Sequence, residues 1–168
     1  LVPGASVEDE ARDVAAGIRA IRAQATRLGF DPERILLMGH SAGAHLAALI
    51  SSDAQWLGAD LGAIKGTLLL DGAGYDVPRQ MRDAPFLAQR LYVPAFGTDV
   101  ARQTALSPIT YAAAPNVPDW LIVYSTQRHD SPGQARGLGE ALTRAHTAVT
   151  YAPIDASHGD INRQFGTE

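Results

Sequence analysis

The 168-residue chain contains no cysteine, which excludes disulfide bridges and thiolate metal sites. Charge of one sign is nowhere concentrated. Fourteen basic and 18 acidic residues are interspersed and leave a net charge of −4. That balance speaks against nucleic acid as the main partner, because phosphate binding needs a concentrated basic face. No apolar run approaches the roughly 18 residues required to span a bilayer, so no membrane partner is expected. A secretory leader pattern is missing too, which favours the cytoplasm over secretion. There is no His-Glu-x-x-His, carboxylate cluster, phosphate loop or dinucleotide fingerprint, so the sequence calls for no metal and no cofactor. Repeats and low-complexity tracts are absent. The opening residues "LVPGAS" lack a starting methionine and read as the end of a strand that begins elsewhere.

What the chain does contain is an alternation of helix and strand patterns, with 46% hydrophobic residues to fill a core. Val7, Ala11, Val14, Ile18, Ile21, Ala25 and Leu28 recur at helical spacing, Ser6 and Asp9 have the form of a capping box, and Gly29 is placed to end the helix. After the turn "FDPER", the run "ILLM" is apolar on every side, as a buried parallel strand should be. A helix is predicted over about 42–52, and further strands over 66–72, 119–125 and 148–154. Ser131 and Pro132 open another helix with Ala135, Leu138, Leu142 and Ala145 on its inner face. The alternation predicts a single α/β domain over 1–168, a parallel sheet with helices on both faces. Residues 73–118 break the rhythm. They hold six of the ten prolines and read as an insertion that shapes a pocket, with Tyr75, Phe86, Leu87, Tyr92 and Phe96 as candidate lining.

Gly39-His40-Ser41-Ala42-Gly43 has the G-x-S-x-G form, directly after a strand and directly before a helix. A tight turn there pushes the serine hydroxyl out of the backbone, and the helix start aims free N–H groups at the same spot. Ser41 is therefore the candidate nucleophile and the Ala42 N–H a candidate oxyanion donor. A serine nucleophile needs a base, and the base needs an orienting acid. Of five histidines, His40 and His45 lie too close to Ser41 in sequence to fold back onto it. His129 adjoins the acid candidate, and His146 ends a helix. His158, four residues past the fourth strand, is placed to be the base. For the acid, Asp130 follows the third strand by five residues. Asp155 is read as a turn residue, and Asp71 and Asp76 are set aside as out of order. The competing readings are a cap or turn carboxylate for Asp130, a solvated loop residue for His158 and an incidental glycine-rich turn for Ser41.

At these residues the chain resembles the α/β-hydrolase superfamily and, more narrowly, the small bacterial carboxylesterases related to kynurenine formamidase. The stretches "DPERILLMG", "GHSAGAHLAAL", "SPITYAA" and "HGDINRQFG" carry the likeness, which runs over nearly the whole length. The resemblance implies hydrolysis of a small ester or amide through an acyl-enzyme, with Ser41, His158 and Asp130 in the roles above. Short-chain carboxylic esters are the first expectation and an arylformamide the alternative. A non-catalytic fragment is the reading outside enzymes. Relative to that family, the α/β-hydrolase fold here lacks N-terminal strands, their His-Gly-Gly oxyanion loop and a closing C-terminal helix. The expected remedy is a missing segment or second chain completing the sheet, homo-oligomeric pairing included.

Overall fold

The computed structural model describes residues 4–83 and 88–167. At its centre lies a four-stranded parallel sheet, β1 (Ile35–His40), β2 (Ile64–Leu70), β3 (Asp119–Ser125) and β4 (Ala148–Ile154), in that spatial order. The helices are α1 (Val7–Ala23), α2 (Ala25–Leu28), α3 (Ala42–Ser52), α4 (Ala54–Leu57), α5 (Val77–Asp83), α6 (Val93–Phe96), α7 (Val100–Ala105), α8 (Ser131–Arg144) and α9 (His158–Gln164). The parallel α/β architecture read from the alternation is the one found.

Local chemistry explains the boundaries. The capping box at the start of α1 is formed: Ser6 Oγ accepts from the Asp9 N–H, and Asp9 Oδ2 accepts from the Ser6 N–H, both at 3.1 Å. Glu8, Asp9 and Glu10 in its first turn complement the helix dipole. The long helix expected to reach Leu28 breaks at Gln24 and restarts as α2, which Gly29 closes at φ 74°. Ile21 and Leu28 stand half exposed, where the apolar stripe runs past the buried core. β2 begins two residues earlier than the apolar run suggested, because Ile64 pairs with Ile35, and it ends where Asp71 turns the chain at φ 45°.

Side chains that alternate along the strands divide the sheet into two unequal faces. On one face Leu37, Leu69, Trp120, Ile122 and Tyr124 pack against α1, α3 and α8. Leu49, Ile50, Leu69, Ile122, Leu138 and Leu142 are wholly buried there, each such side chain stabilising the fold by roughly 1.5–3 kcal/mol. A 2.6 Å hydrogen bond between Ser51 and Thr67 hydroxyls ties α3 to β2 inside this layer. On the opposite face Leu36 and Met38 are 68% and 56% exposed, and a small cluster of Leu70, Val123 and Ile161 seats α9 near the strand ends. The segment between β2 and β3 joins the first face, where Arg102 of α7 pairs with Glu8 of α1 at 2.7 Å. Among the described residues no helix is long and apolar enough to cross a membrane.

Candidate active site

Every strand ends at the same rim, and the chemistry gathers there. Ser41 follows the last residue of β1 at φ 57°, ψ −120°, a strained backbone for a residue with a side chain. Gly39 is a steric necessity: a methyl group there would sit 2.1 Å from the Gly43 carbonyl oxygen. The Ser41 N–H donates to the Leu70 carbonyl at 3.0 Å, which pins the turn to the end of β2. Ala42 is the first residue of α3, where backbone N–H groups have no acceptor within the helix.

His158 arrives from the end of β4 as the first residue of α9, whose cap is Ser157. Its backbone carbonyl accepts from His40 Nε2 at 3.1 Å, and the two imidazoles lie 4.4 Å apart. Burial first, together with the neighbouring His158, holds the His40 ring below the ordinary histidine range, and its bond to the His158 carbonyl only partly offsets this. Next door, the loop before His158 is fixed by a 2.6 Å bond from Ser125 Oγ to the Ala156 carbonyl. The result brings His158 Nε2 to 3.0 Å from Ser41 Oγ, and His158 Nδ1 to 2.6 Å from a carboxylate oxygen.

That carboxylate belongs to Asp71, not to the expected Asp130. Asp71 is wholly buried one residue past β2, with its N–H bonded to the Val123 carbonyl at 2.8 Å. Oδ1 accepts from the Ser125 N–H at 2.9 Å and from the Ser131 hydroxyl, while Oδ2 faces His158 and Arg128. Burial pushes this carboxyl upward, but bonds from Ser131, Ser125 and His158 and the charge of Arg128 outweigh it and hold Asp71 below the usual carboxylate range. Asp130 sits at the N-cap position of α8 without capping it; its Oδ2 accepts from Gln80 Nε2 at 2.8 Å and Arg128 Nη2 at 3.0 Å. Asp71, set aside as out of order, in fact fits the chain order serine, acid, histidine as readily as Asp130. What separates them is what each loop presents to the ring: Asp71 Oδ2 meets His158 Nδ1, whereas the loop after β3 brings Arg128 to that nitrogen at 3.3 Å and holds Asp130 on the guanidinium. A signal was present, an aspartate ending the buried run "LLLD". Nothing in the sequence marked Arg128, Ser125 or Ser131 as its neighbours, or Gln80 as a partner of Asp130. His129 and His146 are exposed, Asp155 accepts from Gln127, and Asp76 accepts from the Arg79 N–H at the start of α5.

Beside the hydroxyl of Ser41 opens a cavity of about 510 Å³. Leu46, Ala73, Leu91, Tyr92, Ala95 and Phe96 make it largely apolar, and Val7, Glu10, His45 and Arg128 complete the wall with Ala42 and His158. Of the expected lining residues, Tyr92 and Phe96 are in place. Tyr75 is instead buried in the core, and Phe86 and Leu87 lie outside the described residues.

His45 is enclosed beneath this cavity, its Nδ1–H donating to the Gly74 carbonyl at 3.0 Å and its ring edge-on to Phe96. Burial lowers it from 6.5 to about 4, so it is neutral near pH 7. An unfolded chain takes up a proton here below about pH 6.5, which the folded chain refuses until about pH 4. The stabilisation is therefore complete above that window and falls, by up to about 3 kcal/mol, as the pH drops through it. His45→Gln keeps an N–H for Gly74 and should flatten this part of the curve. Melting temperatures taken between pH 7 and pH 4.5 measure the slope, and a wild-type curve already flat there would contradict it.

Known proteins resemble this chain in sequence or in fold. Residues 2–65 match the BD-FAE family. A 46-residue stretch is 46% identical to the probable isoprenylcysteine alpha-carbonyl methylesterase ICMEL1 of Arabidopsis thaliana, covering 27% of this chain and 10% of that protein. The fold superposes on esterase 2 of the planctomycete Thermogutta terrifontis. The apo form gives a TM-score of 0.70 at 26% identity, over 94% of this chain and 57% of that one. The propionate-bound form gives 0.69 at 26% identity, over 94% and 58%. The form phosphonylated by sarin gives 0.69 at 26% identity, over 94% and 59%. This chain thus spans under two thirds of the esterase chains it matches.

Proposed function

The chain belongs to the α/β-hydrolase superfamily, and on that footing we propose that it is a serine hydrolase of short-chain carboxylic esters, acting through an acyl-enzyme. The observation that carries this reading is the continuous array Ser41 Oγ, His158 imidazole, Asp71 carboxylate, with spacings of 3.0 and 2.6 Å, at the wall of an apolar cavity. With Nδ1–H donated to Asp71, Nε2 is free to accept the Ser41 proton. Ser41 Oγ attacks the ester carbonyl carbon as that proton passes to His158, and the Ala42 N–H donates to the developing oxyanion. Collapse breaks the bond to the alcohol, which leaves with the proton from His158. A water, deprotonated by the same imidazole, then cleaves the acyl-Ser41 ester and restores the hydroxyl. The propionate complex of the Thermogutta terrifontis esterase supports a short acyl group, and its form phosphonylated by sarin supports a nucleophile open to phosphorus electrophiles.

A fluorophosphonate probe tests the nucleophile directly. Peptide mass spectrometry should find the adduct on Ser41 alone, and boiling the protein first should abolish it. Absence of labelling in folded protein would overturn the proposal. Rates on p-nitrophenyl butyrate and N-formylkynurenine then fix the substrate class, and a clear preference for the formamide would replace ester with arylformamide in the assignment.

A further inference from the structure

The loop after β3 places a cation between two carboxylates and beside the imidazole. Arg128 Nη1 donates to the Asp71 carbonyl at 2.9 Å and to Asp71 Oδ2 at 3.2 Å. Its Nη2 donates to Asp130 Oδ2 at 3.0 Å, and Gln80 from α5 steadies the same oxygen at 2.8 Å. Nη1 also lies 3.3 Å from His158 Nδ1. With the Nδ1 proton donated to Asp71, both groups at that contact are donors, so Arg128 meets the ring as a charge and not as a hydrogen-bond partner. The side chain of Arg128 is 23% exposed, that of Asp130 12% and that of Asp71 not at all, so solvent screens this trio only partly.

We infer that Arg128 is a positioning residue which holds the Asp71 carboxylate against His158 and, balanced by Asp130, sets the pH range over which the imidazole serves as base. The inference rests on the function proposed above and adds to it a second ion pair behind the acid. A guanidinium suits this place because its planar fork can reach both carboxylates at once, which a lysine ammonium cannot match in geometry.

The signs differ between the two partners. Removing Arg128 leaves Asp71 and Asp130 uncompensated, so the imidazolium forms more readily and the acid limb of kcat/KM moves to higher pH. Removing the Asp130 charge leaves Arg128 less compensated, so the imidazolium forms less readily and the limb moves to lower pH. Other titratable groups surround His158: His40 from the end of β1 packs on the ring, Asp71 follows β2, and Glu10 and Tyr92 line the same cavity. Asp155, Asp160 and Arg163 lie along its own segment, Asp155 bonded to Gln127 and Asp160 to Ser157 and Arg163. They are the same in both variants, so the opposed displacements isolate the Arg128–Asp130 pair. Loosening of the fold alone would lower the plateau without moving the limb in opposite directions.

The test is kcat/KM for p-nitrophenyl butyrate between pH 4.5 and 9 on the whole chain, with melting curves at each pH. Arg128→Met should displace the acid limb upward by about half to one pH unit, and Asp130→Asn should displace it downward by a smaller amount. Arg128→Lys should restore the limb to near the wild-type position at a lower plateau. Limbs that stay put, or that move the same way in Arg128→Met and Asp130→Asn, overturn the inference while leaving the serine assignment intact. Should Arg128→Met fail to fold, the downward displacement in Asp130→Asn decides alone. If Ser41→Ala turns over as fast as wild type, the proposed function falls, and this inference with it.

Discussion

Ser41→Ala is expected to lower kcat/KM for a short chromogenic ester by about 10⁴–10⁶-fold, since loss of the nucleophile disables the whole array and leaves only binding and oxyanion donation. Steady-state kinetics with an active-site-titrated control measure the drop. Wild-type turnover in the variant would remove Ser41 from the mechanism. A companion substitution separates chemistry from folding. The Ser41 backbone sits at φ 57°, a conformation that costs a residue with a Cβ on the order of 1–3 kcal/mol. Ser41→Gly should therefore be as inactive as Ser41→Ala yet melt at a higher temperature. An active turn that is locally unfavourable and globally tolerated is the expected signature.

Asp71→Asn should cost about 10³–10⁴-fold in turnover, because an amide no longer stabilises the imidazolium and can hold the ring in the wrong tautomer. Asp130→Asn should keep its plateau within about tenfold, since its carboxylate meets His158 only through Arg128. Equal losses in the two variants would show that the acid role is shared. Stability follows a related logic. The Asp71 carboxyl is held below the usual carboxylate range in the folded chain, so its contribution is complete above the unfolded value near pH 4 and is lost as the pH falls through the lower folded value. Acid unfolding followed by tryptophan fluorescence should be shallower in Asp71→Asn below about pH 4 than in wild type.

Much of the fold was legible because its signals are local. Four apolar runs named the strands, and Ser6 with Asp9 marked the start of α1 through contacts three residues apart. The turn at Ser41 was legible for the same reason: strand, glycine, serine and helix adjoin in the chain. Asp71 was hidden by a different kind of fact. Its partners Ser125, Arg128, Ser131 and His158 lie 54 to 87 residues away, and only the packing of β2 between β1 and β3 brings them together. Asp130, flanked by a histidine and a helix start, carried the more conspicuous local pattern, and pattern alone does not show that Arg128 stands between it and His158. The uneven covering of the two sheet faces was also beyond a one-dimensional reading, since Leu36 and Met38 look as buried in sequence as Leu37 does.

The strand pairing has a consequence for how this chain can be judged after refolding. β1, β2, β3 and β4 each deliver one part of the rim, and the pairs His40↔Leu70, Leu70↔Val123 and Ser125↔Ile154 fix where those parts emerge. A strand that slid by a single two-residue step would carry its group roughly 6.6 Å away, more than twice the spacing across which a proton has to pass. Ellipticity would barely notice such an error, whereas turnover would vanish, so catalysis doubles as a ruler for alignment that spectroscopy of secondary structure does not provide.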